Sequence, residues 1–120
     1  KQACKAFVNR SDFEKSNTEV VAWALAEKNG QVVGRNDVRM YLHGNLIART
    51  YFSDRHTLEI NFCGWPTATT KERVNGLLSM LGINGRFHTV NHTFMYDNTP
   101  VSDSEDIVFT FNGWEWVRIQ

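Results

Sequence analysis

The stretch from Cys63 to Gly82, CGWPTATTKERVNGLLSMLG, constrains the fold more than any other part of the chain. Trp65-Pro66 ends a strand, because proline cannot donate to a ladder and disfavours helical geometry in the residue before it. Thr69, with Glu72 three residues on, has the form of a capping box, in which the Thr hydroxyl accepts from the Glu72 amide and the Glu carboxylate accepts from the Thr69 amide. Val74, Leu77, Leu78 and Leu81 fall at i, i+3, i+4 and i+7 and make one apolar stripe, and Gly82 supplies the left-handed residue that closes a helix. The spacing predicts a helix over about residues 70–81 whose stripe rests on a sheet.

The remainder of the chain reads as that sheet. Val38 to Phe62 predicts a three-stranded antiparallel meander with turns at His43-Gly44-Asn45 and Ser53-Asp54-Arg55. Val38, Met40 and Leu42 share one face, as do Leu58, Ile60 and Phe62, so each strand offers an apolar row to the helix. Upstream, residues 2–15 space Ala3, Ala6, Phe7, Arg10 and Phe13 for an amphipathic helix, broken at Ser16-Asn17. Thr18 to Ala26 reads as a strand, with Lys28-Asn29-Gly30 turning into Gln31-Val32-Val33. Downstream, Arg86 to Tyr96 favours strand, Asp97 to Asp106 reads as a solvated acidic loop, and Asn112-Gly113 between two aromatic runs predicts a closing hairpin.

At 120 residues and 42% hydrophobic content, one core is the expectation: a single α+β domain with an antiparallel sheet of five to seven strands, an N-terminal helix, and the 70–81 helix on one face. Thirteen basic and thirteen acidic residues cancel, so any attraction to nucleic acid must be local. Two cysteines, Cys4 and Cys63, are too few for a disulfide framework. With no signal peptide or long apolar run, free thiols in a reducing cytoplasm and no membrane partner are expected. The chain starts at Lys1 rather than Met, which is compatible with a processed or trimmed start.

At Leu42-His43-Gly44-Asn45 with Ile47-Ala48, and at Gly64-Trp65, Thr67, Thr69-Thr70, Arg73 and Val74-Asn75, the sequence resembles a widespread group of small bacteriophage proteins. In that group an LHGN-x-IA strand pair is followed by GW-x-T-x-TT-x-x-R-[IV]-N. The resemblance is close over residues 42–48 and 63–78, weaker at Asn17-Thr18-Glu19-Val20, and loose in the C-terminal hairpin. It implies phage origin and an early or accessory role rather than a virion part, and it carries no activity with it.

Several constellations are candidates for chemistry. Thr67, Thr69 and Thr70 with Lys71 and Arg73 gather at the positive end of the predicted helix, a seat for a nucleic-acid phosphate, although threonines in such places also serve as caps. No Gly-rich cradle for a nucleotide precedes it. Arg39, Tyr41, Arg49, Tyr51 and Arg55 put cations and rings on the meander as single-strand binders do, and an ordinary solvent face would look the same. His88 and His92 are expected on one strand face, and with His43 and Cys63 they lack metal-ligand or nucleophile spacing. Asp103, Glu105 and Asp106 read as a solvated run rather than an acid/base pair.

The leading expectation is a non-catalytic phage accessory protein contacting nucleic acid through Thr67, Thr69, Thr70, Lys71, Arg73, Arg39, Tyr41 and Arg49, with no cofactor and no metal. The alternative is a protein-binding module acting on a host or defence protein through the acidic loop (Asp97, Asp103, Glu105, Asp106) and the aromatic hairpin (Trp114, Trp116). A homodimer is compatible with either.

Overall fold

A computed structural model describes residues 2–22, 26–29, 31–33, 37–51 and 56–120; Gly30 and the Ser53-Asp54-Arg55 turn, with candidate Arg55, lie outside the described residues. In chain order the elements are α1 (Gln2–Val8), β1 (Phe13–Lys15), β2 (Thr18–Ala22), β3 (Ala26–Lys28), β4 (Gln31–Val33), β5 (Asp37–Leu42), β6 (Asn45–Tyr51) and β7 (Thr57–Ile60). Then come α2 (Ala68–Leu81), β8 (Phe87–Val90), β9 (Thr93–Tyr96), β10 (Thr99–Pro100), β11 (Ile107–Phe111) and β12 (Trp116–Arg118). The fold is α+β. A seven-stranded antiparallel sheet runs β1-β2-β5-β6-β7-β11-β12, beside a three-stranded sheet β10-β9-β8 and the β3-β4 hairpin.

Register explains the core. Val20 pairs with Met40, Met40 with Ala48, Ala48 with Ile60 and Ile60 with Ile107, a single apolar row from β2 to β11. All of these are buried, as are Val74, Leu77 and Leu78 of α2, so the predicted stripe does meet the predicted sheet face. Burying each such side chain is worth about 1.5–3 kcal/mol. The two helices share this face: α1 packs on α2, β2 and β5, and α2 on β6 and β8. They approach closely at Gly76, where a Cβ would stand 3.4 Å from Cys4 Sγ.

Gly82 closes α2 in the left-handed conformation, as its sequence position predicts. The start of α2 differs from expectation. The N-cap is Thr67, not Thr69: the Thr67 hydroxyl accepts from the Thr70 amide at 3.2 Å. Glu72 does not close a capping box and instead meets Arg73 at 3.0 Å. Thr67 itself is extended (φ −73°, ψ 165°), so helical geometry begins at Ala68.

The N-terminal helix is also shorter than its spacing suggests. Arg10 turns left-handed (φ 56°), its amide donates to Phe7 and the Ser11 amide to Ala6, which closes α1. Phe13 therefore belongs to a strand. Ser16 and Asn17, both at positive φ, make the two-residue turn that pairs β1 with β2. Residues 86–96 form a hairpin rather than one strand, with Asn91 and His92 in its turn. The acidic loop contains β10, and Ser102 Oγ accepts from the amides of Ser104 and Glu105.

The small sheet is welded to the large one by rings. Phe62, two residues past β7, lies 4.6 Å from Phe94 and 4.9 Å from Phe87, and Tyr96 lies 5.4 Å from Phe109, centroid to centroid.

Candidate functional site

The helix entrance is built by a tight turn. Cys63 (φ 55°) and Gly64 (φ 77°) bring the Trp65 amide back to the Phe62 carbonyl at 2.9 Å. The turn is braced by the Cys63 amide on Asn61 Oδ1 and by the Gly64 amide on the Asp103 carbonyl. A non-glycine residue at positive φ costs energy, and here the strained turn aims an indole outward, leaving Trp65 65% exposed. Beside it lies a groove of about 390 Å³ with Leu42, Ile47 and Phe62 as its floor and His43, Asn45, Trp65 and Thr69 at its rim. Thr67 and Thr70 line the same groove, with their hydroxyls 3.0 Å apart.

The cations expected at this entrance point elsewhere. Lys71 Nζ donates to Thr89 Oγ1 at 2.9 Å and lines a separate groove with Arg86 and His88. Arg73 reaches back toward α1 and β2: its Nε donates to Thr18 Oγ1 at 3.4 Å, and its Nη1 holds the Glu72 carboxylate.

Arg39, Tyr41 and Arg49 sit on the opposite face of the large sheet from α2, since they alternate with the buried Met40 and Ala48. There the cations are compensated. Arg39 Nε meets Asp37 at 2.8 Å and its Nη1 approaches the Tyr41 hydroxyl; Arg49 meets Glu59 at 2.8 Å and lies over the Tyr51 ring. The Tyr51 hydroxyl donates to Glu59, and burial, then the Glu59 charge, push the Tyr51 phenol up. The nucleic-acid candidates therefore divide between two faces of the sheet, and of those at the helix start only the three threonines stay together.

The histidines do not converge either. His43 lies in the β5-β6 turn, His92 in the β8-β9 turn, and His88 Nε2 is 2.6 Å from the Asp97 carbonyl. The Cys63 thiol donates to the Leu46 carbonyl, and burial, then Asp106, push it up. Among the described residues no group of three or more His, Cys, Asp or Glu is placed to hold a metal ion. No helix among them is long and apolar enough to cross a membrane.

The acidic loop is tied down. Asp97 Oδ1 accepts from the Arg86 amide, Asp106 Oδ1 accepts from Asn61 Nδ2, and the Asp103 carbonyl braces the Trp65 turn; Glu105 is exposed. In the hairpin the two tryptophans part company. Trp116 is half-buried against Phe111 and the core, whereas Trp114 is 86% exposed. Asn112 Oδ1 accepts from the amides of both Trp114 and Glu115, so the tip carrying that indole is fixed by its own side chain.

Trp65 is not among the residues the sequence singles out, because the proline next to it already accounts for a strand stop. Its flanks, Gly64 and Pro66, are the readable signal, since both residue types mark turns and turns run over the surface. A family model described as Kyanoviridae Gp96 protein matches residues 1–117. No curated protein and no solved structure matches the chain.

Proposed function

From the premise that the chain belongs to the Kyanoviridae Gp96 protein family, a bacteriophage family, we propose that it is a non-catalytic accessory protein that binds a host or defence protein in the host cytoplasm. The observation that carries this reading is Trp114, an indole almost fully in water on a hairpin tip braced by Asn112. Tryptophan is the residue most enriched among the anchors of protein interfaces, and a fixed tip loses little entropy on docking. The acidic loop stands apart from this tip: Asp106 meets Asn61 beyond one end of the β7–β11 pair, while Phe111, next to the tip, meets His56 at the other, so the reading rests on the hairpin alone. The test is affinity capture from lysate of infected host cells with the unmodified protein and Trp114→Ala. The reading expects a discrete protein partner that the variant loses while its circular dichroism stays unchanged. Equal capture by both proteins refutes it.

A second reading, contact with nucleic-acid phosphates, draws on one observation: Lys71, Arg86 and His88 line a single groove of about 580 Å³ between α2 and β8. Against it stand the compensated cations of the sheet and the zero net charge. A mobility shift with short single-stranded DNA and RNA at low salt decides it. Retardation abolished by Lys71→Glu with Arg86→Glu supports it, and no retardation ends it.

A further inference from the structure

The two edges of the large sheet are not alike. β1 is guarded: Glu14 and Lys15 are exposed and charged, and Asp12 Oδ1 accepts from the Ala22 amide, closing off the end of β2. β12 carries a single exposed charge, Arg118 at its end, and among the described residues no strand lies beyond it. Its sequence is apolar at Trp116 and Val117, with Ile119 63% exposed just after. The hydrogen bonds to β11 fix which main-chain groups are left over. Asn112 donates to the Glu115 carbonyl, and the Ile119 amide donates to Val108, so Glu115, Val117 and Ile119 face β11. By alternation the amides and carbonyls of Trp116 and Arg118 point to the open edge.

We infer that β12 pairs antiparallel with β12 of a second copy of this chain, about a two-fold axis at Val117. An antiparallel pair of identical strands places one residue opposite itself, and centring on Val117 sets Trp116 opposite the partner's Arg118 and Arg118 opposite the partner's Trp116. Those are the residues with outward main-chain groups, so all of their outward donors and acceptors are satisfied across the seam. The same register puts a guanidinium beside an indole twice, a favourable pairing. Centring on Arg118 instead would oppose two cations. The seam stops short of the 112–115 tip, so both copies keep Trp114 outside it, and the inference stands independently of the reading of Trp114.

The test is sedimentation equilibrium over a range of concentrations, together with amide exchange of the full chain. The inference expects a reversible step from one chain to two, with the Trp116 and Arg118 amides exchanging at least tenfold more slowly in the dimer. Val117→Lys, which sets two cations face to face on the axis, should return the protein to one chain and those two amides to fast exchange. A single-chain mass at every concentration overturns the inference. So does a dimer that survives Val117→Lys with those amides unprotected, or open-ended growth in place of a closed pair. Should the variant misfold, the concentration dependence of the two amides in the unmodified protein decides alone.

Discussion

Replacing Thr67 with alanine separates the observed helix start from the one the sequence suggests. The Thr67 hydroxyl accepts from the Thr70 amide and lies 3.0 Å from the Thr70 hydroxyl, which is buried. Losing an N-cap side chain costs about 1 kcal/mol. Leaving the buried Thr70 hydroxyl without that neighbour adds about 1 kcal/mol. The sum, about 2 kcal/mol, lowers the melting midpoint of a chain this size by roughly 8 °C. Thr69 is exposed on the first turn, so Thr69→Ala should stay within about 0.5 kcal/mol. Urea unfolding followed by far-ultraviolet circular dichroism measures both, and Thr67→Ser should recover most of the loss. If Thr69→Ala proves the more damaging of the two, the cap assignment fails, and with it the placement of the helix entrance.

Gly85→Ala drives a Cβ into the Tyr96 ring and hydroxyl; overpacking of this kind costs about 1–3 kcal/mol, read as a lower urea midpoint. Glu59→Gln removes the carboxylate shared by Arg49 and Tyr51, at a cost of about 1 kcal/mol for a partly exposed pair, and spectrophotometric titration should show the Tyr51 phenol moving back down. Burial, first among the causes, pushes Cys4, Cys63, Tyr51 and Tyr96 all up, so the fold favours their protonated forms. Stability from these groups is complete below their unfolded values, about 8.5 for thiols and about 10 for phenols, and is lost as pH rises from there through the folded values. Denaturation midpoints taken between neutral and strongly alkaline pH should fall, and a flat profile contradicts the assignment.

What was legible in the sequence was whatever local pattern alone decides. The Val74, Leu77, Leu78 stripe and the Val38-Met40-Leu42 row follow from periodicity, and burial agrees with both; the Gly82 stop follows from glycine's freedom at positive φ, and the residue sits at φ 79°. Phe13 satisfied both a helical and a strand spacing, and only the Ser16-Asn17 turn, with its two positive φ angles, resolved it toward strand. The run Thr67-Ala68-Thr69-Thr70 offers several caps, and the choice falls on Thr67 because it stays extended while Ala68 is already helical. The fate of the cations was not readable. Arg49 meets Glu59 only because β6 and β7 pair in that register, and Arg73 meets Thr18 across 55 residues of chain. Likewise, nothing local distinguishes Trp114 from Trp116; the Phe111 to Trp116 pairing does.

The most direct test of the account is a photoreactive residue placed at position 114 in infected host cells, with position 41 on the outer sheet face as the comparison. The account predicts a discrete protein adduct from position 114 that nuclease treatment leaves unchanged, and none from position 41. Adducts from position 41 alone, or an adduct from 114 that nuclease removes, would contradict it.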